Sequence, residues 1–194
     1  MEYNRLVDDS LPLERVLQPS PSLTHLLTTL RASQTCSKLW LFTNAYIMHA
    51  RRVVKLLGVD HLFDGVTYCD YAEGAKVGKL VCKPDREMFE RAMTDAGLCV
   101  GRDENRCYFV DDSALNCAAA EAAGWTKVAL LVEQGEELPS RLPCRHVIRD
   151  LGQLRDVFPE LWVGEYGTRD QVGNEPLREC SPTLGEEEEE GRAG

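Results

Sequence analysis

Three short stretches of the chain carry side chains that could bind a phosphate group together with a metal ion. Asp111 and Asp112 directly follow one apolar run, Thr43 and Asn44 follow another, and Lys83 precedes a proline. Carboxylates are ligands that Mg²⁺ prefers, whereas an ammonium group, a hydroxyl and the amides at the start of a helix bind phosphoryl oxygens. Two adjacent carboxylates repel each other unless a cation compensates them, so this pair predicts part of a magnesium site.

Each of these residues also has an ordinary structural interpretation. Asp112 or Ser113 could cap the helix that follows, Thr43 could cap another helix, Lys83 could be a solvated surface lysine, and Asn116 could be an exposed helix residue. A functional role is favoured because every group stands just after a strand or just before a helix. In an open α/β sheet, such groups face the ligand crevice at the carboxyl ends of the strands. We therefore expect them to lie together.

The elements that would position these residues alternate between strand and helix. Five apolar runs are predicted to be buried strands: Leu39–Phe42, Val66–Cys69, Cys107–Val110, Lys127–Val132 and Arg145–Ile148. Alternation of this kind is typical of a parallel sheet covered by helices on both faces. The sequence predicts an α/β protein with a three-layer Rossmann-like core.

Helices are predicted where apolar residues recur every three or four positions. The predicted helices begin at Ser22, run from Ile47 to Leu57, follow Pro84, and run from Ala114 to Ala123. The last three stop at a glycine, which readily takes the left-handed backbone that ends a helix. The segment 70–79, with two glycines and four charges, is predicted to be a loop.

The chain is predicted to contain one domain with short flanking segments. Residues 1–21 are polar and interrupted by prolines, residues 22–163 form the core, and residues 164–194 are predicted to be a disordered acidic tail. The net charge is -10, of which Glu165 to Gly194 contributes -6 with nine acidic and three basic residues, leaving -4 for the rest. No basic stripe is present, which argues against nucleic acid as a partner.

Cysteine usage and the amino terminus bear on the compartment. The eight cysteines include no Cys-x-x-Cys pair and several fall in apolar runs, so we expect reduced thiols. The first residues lack the basic and apolar regions of a secretory signal, and no run approaches the length of a membrane span. We expect a soluble protein of the cytoplasm or the nucleus, with no membrane partner.

Four stretches match the motifs of a known enzyme family. They are Phe42-Thr43-Asn44-Ala45, Cys82-Lys83-Pro84, Phe109-Val-Asp-Asp-Ser with Asn116, and Leu-Phe-Asp-Gly-Val-Thr-Tyr-Cys-Asp-Tyr at 62–71. The first three resemble the second, third and fourth motifs of the haloacid-dehalogenase-like hydrolases. The last resembles the fungal pyrimidine 5′-nucleotidases within that superfamily. The resemblance extends from about Tyr3 to about Trp162.

The resemblance implies a role for each residue and a reaction. Thr43 and Asn44 would bind the transferring phosphoryl group, and Lys83 would steady the nucleophile and the phosphate. Asp112 would be the main Mg²⁺ ligand and Asp111 an accessory acid, supported by Ser113 and by Asn116 in place of a further acid. The implied activity is magnesium-dependent hydrolysis of a small phosphate monoester, a pyrimidine nucleoside monophosphate such as UMP or CMP.

One departure from the family pattern concerns the nucleophile. The first motif, Asp-x-Asp after the first central strand, is missing, and Val7-Asp8-Asp9-Ser10 is no substitute because no apolar strand precedes it. We therefore expect the chain to lack the first strand, the nucleophile and most of the helical cap. Strands next to the missing one should keep unpaired backbone groups, and the chain alone should be inactive.

Two alternative functions fit part of the same pattern. A catalytically inactive relative that binds phosphate or serves as an interaction protein fits the same residues. A response-regulator-like receiver also uses paired acids with a distant Thr and Lys, but its acidic pair follows the first strand, whereas Asp111 and Asp112 come late in the chain.

Overall fold

The computed structural model describes residues 10–33 and 35–162. The predictions for the tail at 164–194, and for Asp8 and Asp9, lie outside these residues. No helix in the described ranges is long and apolar enough to cross a membrane.

Five parallel strands form the centre of the molecule. They are β1 (Trp40–Thr43), β2 (Gly65–Tyr68), β3 (Tyr108–Asp111), β4 (Lys127–Leu131) and β5 (His146–Ile148). β1 pairs with β2, and β3, β4 and β5 pair in that order, all in parallel register. Each strand begins within one residue of its predicted start, and the α/β prediction is confirmed.

The sheet is divided in two, as the missing strand led us to expect. Among the described residues, β1 hydrogen-bonds only to β2 and β3 only to β4, so each has one edge without a strand partner. The four residues of β1 are all partly exposed, whereas Val128, Ala129 and Leu130 at the centre of β4 are almost completely buried. The open edge of β1 therefore belongs to a strand whose apolar side chains are incompletely covered, whereas Phe109 of β3 is buried.

Helices cover the strands and connect them. They are α1 (Leu13–Val16), α2 (Pro21–Ala32), α3 (Ile47–Leu56), α4 (Tyr71–Val77), α5 (Arg86–Asp95), α6 (Ala114–Ala122) and α7 (Leu154–Val157), with 3₁₀ turns at Asp60–Leu62, Glu104–Arg106, Leu151–Gln153 and Pro159–Trp162. Helix α2 starts before the predicted Ser22, because Ser20 accepts a hydrogen bond from the Leu23 amide and Pro21 fits the first helical turn.

The prediction of a loop at 70–79 is wrong, because α4 lies there. The Asp70 carboxylate accepts hydrogen bonds from the amides of Ala72 and Glu73, both at 3.0 Å, and so caps the helix. Gly78, at φ +70°, ends it. Gly74 lies inside the helix. A glycine is needed at this position because a Cβ there would come within 3.2 Å of the Leu80 backbone. The two glycines therefore serve packing and termination.

The core has two clusters, one on each face of the strands. One joins α5 and α6 to β3 and β4 and includes an aromatic group of Phe42, Phe89, Phe109 and Trp125, with ring centroids 5.3 to 6.3 Å apart. The other packs α2 and α7 against the opposite face. This is the three-layer arrangement that the alternating pattern predicts.

Most of the described cysteines are free thiols, as expected. Six are free: Cys36, Cys69, Cys82, Cys107, Cys117 and Cys144. Cys99 is disulfide-bonded, so the expectation that all cysteines are reduced is wrong at that position. Burial raises the pKa of the Cys107 thiol to about 12, which keeps this core cysteine protonated and unreactive.

A buried carboxylate fixes the turn that leads into β3. Asp103 is 4% exposed; it accepts a hydrogen bond from the Cys99 amide at 2.9 Å and one from Arg102 Nη2 at 3.0 Å, and Arg106 lies 3.5 Å away. The Arg102 hydrogen bond, with that of Cys99 and the charges of both arginines, lowers the pKa of Asp103 from 3.8 to about 2. The folded state therefore favours the ionised carboxylate.

Asp103→Asn should lower the melting temperature at pH 7 by several degrees. Because the folded pKa lies below the unfolded value, the carboxylate stabilises the fold above about pH 4, and this contribution disappears as the pH falls to about 2. Calorimetry between pH 7 and pH 2 should show the difference from wild type shrinking in that window. Asp60→Asn, at an exposed side chain, serves as the control. A difference that stays constant down to pH 2 would contradict the assignment.

Candidate active site

The predicted site residues converge at the carboxyl ends of β1 and β3. Thr43 ends β1, Asp111 ends β3, and Lys83 lies between them in the segment that precedes α5. These residues are far apart in the chain but lie at one edge of the strands, because parallel strands end on the same side. The site thus straddles the division between the two sheets.

Lys83 is buried at the centre of the site. Its side chain is 5% exposed; Nζ donates to the Phe42 carbonyl oxygen at 2.8 Å and to Asp111 Oδ2 at 2.6 Å. The ammonium group also lies 4.8 Å from the ring centroid of Phe42 and 5.4 Å from that of Phe109, within cation–π range. The interpretation of Lys83 as a solvated surface residue is therefore wrong.

Asn44 fixes the backbone position of Lys83. Its Oδ1 accepts from the Lys83 amide and its Nδ2 donates to the Lys83 carbonyl, both at 2.7 Å. This two-point contact engages both polar atoms of the Asn44 side chain. The side chain of Asn44, which was predicted to bind phosphate, thus holds the backbone of Lys83 in position.

Asp111 is held from both of its oxygens. While Oδ2 is paired with Lys83, Oδ1 accepts from the Ser113 amide and from Asn116 Nδ2, both at 2.9 Å. The side chain is 7% exposed. Asn116, predicted to support the metal site, instead orients this carboxylate in the described structure.

Asp112 differs from Asp111 in its exposure and in its contacts. It is exposed, and no hydrogen bond or ion pair is recorded for it with the described residues. No group of three His, Cys, Asp or Glu side chains among the described residues is placed to hold a metal ion. Mg²⁺ commonly binds through one or two carboxylates and keeps several waters, so Asp112, with Asp111 beside it, fits such a partly hydrated ion.

The two hydroxyl groups near the site make local hydrogen bonds. Thr43 Oγ1 accepts from the Ala45 amide at 3.0 Å, and Ser113 caps α6 by accepting from the Asn116 amide at 3.4 Å. The capping interpretation of Ser113 is therefore confirmed. Each hydroxyl acts as an acceptor in these bonds, so the proton of Thr43 remains able to donate to a phosphoryl oxygen.

Tyr71 is a site neighbour that sequence reasoning missed. Its hydroxyl donates to the Asn44 carbonyl oxygen at 3.2 Å, and the residue is exposed beside the site. The signal was present in the chain, because Asp70 is a good helix cap and would have placed Tyr71 at the first turn of a helix. The two glycines that follow favoured a loop instead.

Comparison of the sequence with known proteins shows the family of this chain. Residues 2–124 match the family model of the haloacid dehalogenase-like hydrolases. The chain belongs to this hydrolase family. A curated relative, Phosphate metabolism protein 8 of Saccharomyces cerevisiae, is 41% identical over 135 residues, which are 69% of this chain and 41% of the relative. The chain thus matches about two fifths of that relative's length.

Solved structures support the fold. A haloacid-dehalogenase-family phosphatase from Thermococcus onnurineus superposes with a TM-score of 0.60 at 23% identity, over 81% of this chain and 64% of the other. A dehalogenase solved with an intermediate complex gives a TM-score of 0.56 at 19% identity, over 71% of this chain and 55% of the other. Both exceed this chain in length, as the yeast relative does.

Lys83→Met should destabilise the fold by about 3–5 kcal/mol, because it leaves the buried Asp111 carboxylate without its cation. The double variant Lys83→Met/Asp111→Asn should recover part of that loss, with a coupling energy of about 1–3 kcal/mol from urea unfolding. The exposed pair Arg86–Glu90 is the matched control, and its coupling should stay below about 0.5 kcal/mol. Additive losses at Lys83 and Asp111 would refute a strongly coupled pair.

Proposed function

We propose that the described site is the phosphate- and magnesium-binding part of a phosphomonoesterase. Its substrate is a pyrimidine nucleoside monophosphate such as UMP or CMP. The observation that carries the proposal is the convergence of Thr43, Lys83, Asp111 and Asp112 at one edge of the strands. Thr43 and the amides that follow β1 bind the phosphoryl oxygens, and Lys83 supplies a fixed positive charge.

The charge balance of the site makes phosphate binding depend on a divalent cation. One ammonium group at Lys83 faces the two carboxylates of Asp111 and Asp112, so with both carboxylates ionised the three side chains sum to a net charge of -1. A phosphate dianion entering this site would be repelled. Mg²⁺ on Asp112 reverses the sign of the local charge and would polarise the phosphoryl group.

The nucleotide part of the proposal rests on the connecting segment and on the family. The stretch at 62–71 resembles the pyrimidine 5′-nucleotidases and, in the structure, contains β2 and leads to Tyr71 beside Asn44. The yeast relative carries phosphate metabolism in its name, which is compatible with a phosphate ester as substrate.

The 194-residue chain should bind this substrate without hydrolysing it. Hydrolysis in the proposed reaction proceeds through an aspartate that attacks phosphorus, and loss of a covalent nucleophile removes nearly all of the rate. Among the described residues, Asp111 and Asp112 are the only carboxylates in the predicted site, and Asp111 is held by Lys83 and Asn116. The described part of the chain therefore supplies the binding groups of the proposed reaction, and no attacking carboxylate is placed in the site by these residues.

Titration calorimetry should detect UMP or CMP binding only when Mg²⁺ is present. Asp112→Asn should weaken that binding at least about tenfold, because it removes the unpaired carboxylate that holds the ion. Asp60→Asn, which changes an exposed carboxylate in the turn before β2, should bind as wild type does. Nucleotide binding that is equally strong with EDTA, or unchanged in Asp112→Asn, would refute the magnesium assignment. No binding under any condition would favour an interaction protein without a phosphate site.

Phosphate release from UMP should not exceed the rate without protein. The assay is run at high protein concentration with Mg²⁺, with Asp112→Asn as the control for contaminating phosphatase. Release that the wild type catalyses and Asp112→Asn does not would show that the chain supplies its own nucleophile, and would overturn the proposal of binding without turnover.

A further inference from the structure

Two cysteines that have no role in the proposed function meet beside the site. Cys69 follows the last residue of β2, and Cys82 directly precedes Lys83. Parallel register pairs the last residues of β1 and β2, so Asn44 and Cys69, which follow them, leave the strands side by side. The Asn44 side chain in turn accepts a hydrogen bond at 2.7 Å from the amide that joins Lys83 to Cys82. The backbones of both cysteines are therefore placed next to Asn44.

The side chains of the two cysteines are in contact as well. Both are free thiols, and a side-chain hydrogen bond joins the Cys69 thiol to that of Cys82. The Tyr71 hydroxyl, which donates to the Asn44 carbonyl, also forms a hydrogen bond with the Cys69 thiol. A disulfide holds its two sulfurs about 2 Å apart, so the two side chains need only a short movement to form one.

The two thiols differ in exposure, and this difference sets the order in which they react. Cys82 is partly exposed, whereas Cys69 is completely buried, with 0% exposure. Burial raises the pKa of the Cys69 thiol, and the neighbouring Cys82 raises it further, so Cys69 is a poor first nucleophile. An oxidant from the solvent therefore reaches the Cys82 sulfur first, and Cys69 is placed to attack that sulfur once it is oxidised.

We propose that Cys69 and Cys82 are a redox modification site, which hydrogen peroxide converts into a disulfide and a dithiol converts back. The Cys82 thiolate attacks a peroxide oxygen, so that an S–O bond forms, the O–O bond breaks and one water leaves. Cys69 then attacks the Cys82 sulfur, so that the S–S bond forms, the S–O bond breaks and a second water leaves. The thiols lose both of their protons and one electron each, and the peroxide takes these up as water. This modification does not depend on the proposed function.

The disulfide closes the chain around α4. The segment between the two cysteines contains this helix, in which no residue is buried, followed by the exposed residues 78–80. An element with so few buried contacts opens easily, and joining the two ends of its segment restricts that opening. The oxidised form therefore holds α4, and with it Tyr71 beside Asn44, more firmly than the reduced form does.

Peptide mass spectrometry of the full chain tests the bond. The protein is treated with hydrogen peroxide until the partly exposed Cys36 is oxidised, free thiols are alkylated in denaturant, and the chain is digested with trypsin. We expect peptides 56–76 and 80–86 to be linked, and dithiothreitol to separate them. Cys117 and Cys144 are the matched control pair, because their thiols are also in contact but both are buried, and they should stay reduced. No link between 56–76 and 80–86, or equal linking of the control pair, would overturn the proposal.

Single variants separate the two steps. In Cys69→Ser, Cys82 should stop as a sulfenic acid that dimedone labels, whereas in Cys82→Ser the buried Cys69 should stay an unlabelled thiol. Cys36→Ser, which removes a partly exposed thiol outside the pair, should form the link as wild type does. Dimedone labelling of Cys69 but not of Cys82 would contradict the proposed order. The wild-type measurement stands even where a variant fails to fold.

Amide hydrogen exchange tests whether the bond restrains α4. In the fully linked protein, exchange at residues 71–77 should slow by about tenfold, and dithiothreitol should restore the rate of the reduced protein. Exchange in β5, which lies outside the closed segment, should be the same in both forms. Unchanged exchange at residues 71–77 would show that the disulfide leaves α4 as free as before, and the proposed restraint of this helix would be wrong.

Discussion

The ion pair between Lys83 and Asp111 is the polar contact on which the arrangement of the site depends. Both side chains are almost completely buried, and taking two charges out of water costs more than a bare pair returns. The pair is stabilised because the remaining donors and acceptors are used: the Phe42 carbonyl accepts from the ammonium group, and Asn116 donates to the carboxylate. It also joins two sheets that share no backbone ladder in the described structure.

This arrangement explains why two adjacent aspartates have different roles. Asp111 points inward, where Lys83 and the start of α6 fix it, whereas Asp112 is turned to the solvent without a recorded partner among the described residues. Asp111 is the last residue of β3 and Asp112 follows it. Because successive residues of a strand face opposite sides, the two carboxylates point in different directions. The inner carboxylate holds the lysine in place, and the outer carboxylate is left available for a hydrated cation.

The sequence predicted the strands closely because each is a short, apolar run bounded by polar residues. It also predicted that Thr43, Lys83 and Asp111 would meet, since residues at strand ends share one edge of a parallel sheet. It could not predict that Asn44 binds the backbone of Lys83, because that contact depends on how a segment thirty-nine residues away is placed. Helix α4 was missed for a local reason, as Gly74 is unfavourable for a helix but is required by the close approach of Leu80.

The Phe42 carbonyl links the site to the open edge of the fold. It belongs to the peptide groups that point away from β2, and its recorded partner is a side chain and not a strand. A buried carbonyl without a donor is costly, so the ammonium group stabilises the edge as well as the carboxylate. Lys83 is therefore constrained from two directions: by Asp111, which sets the charge of the site, and by Phe42, which belongs to the unpaired edge. A substitution at Lys83 changes both at once, whereas one at Asp112 changes only the proposed cation site, and this difference makes the two properties experimentally separable.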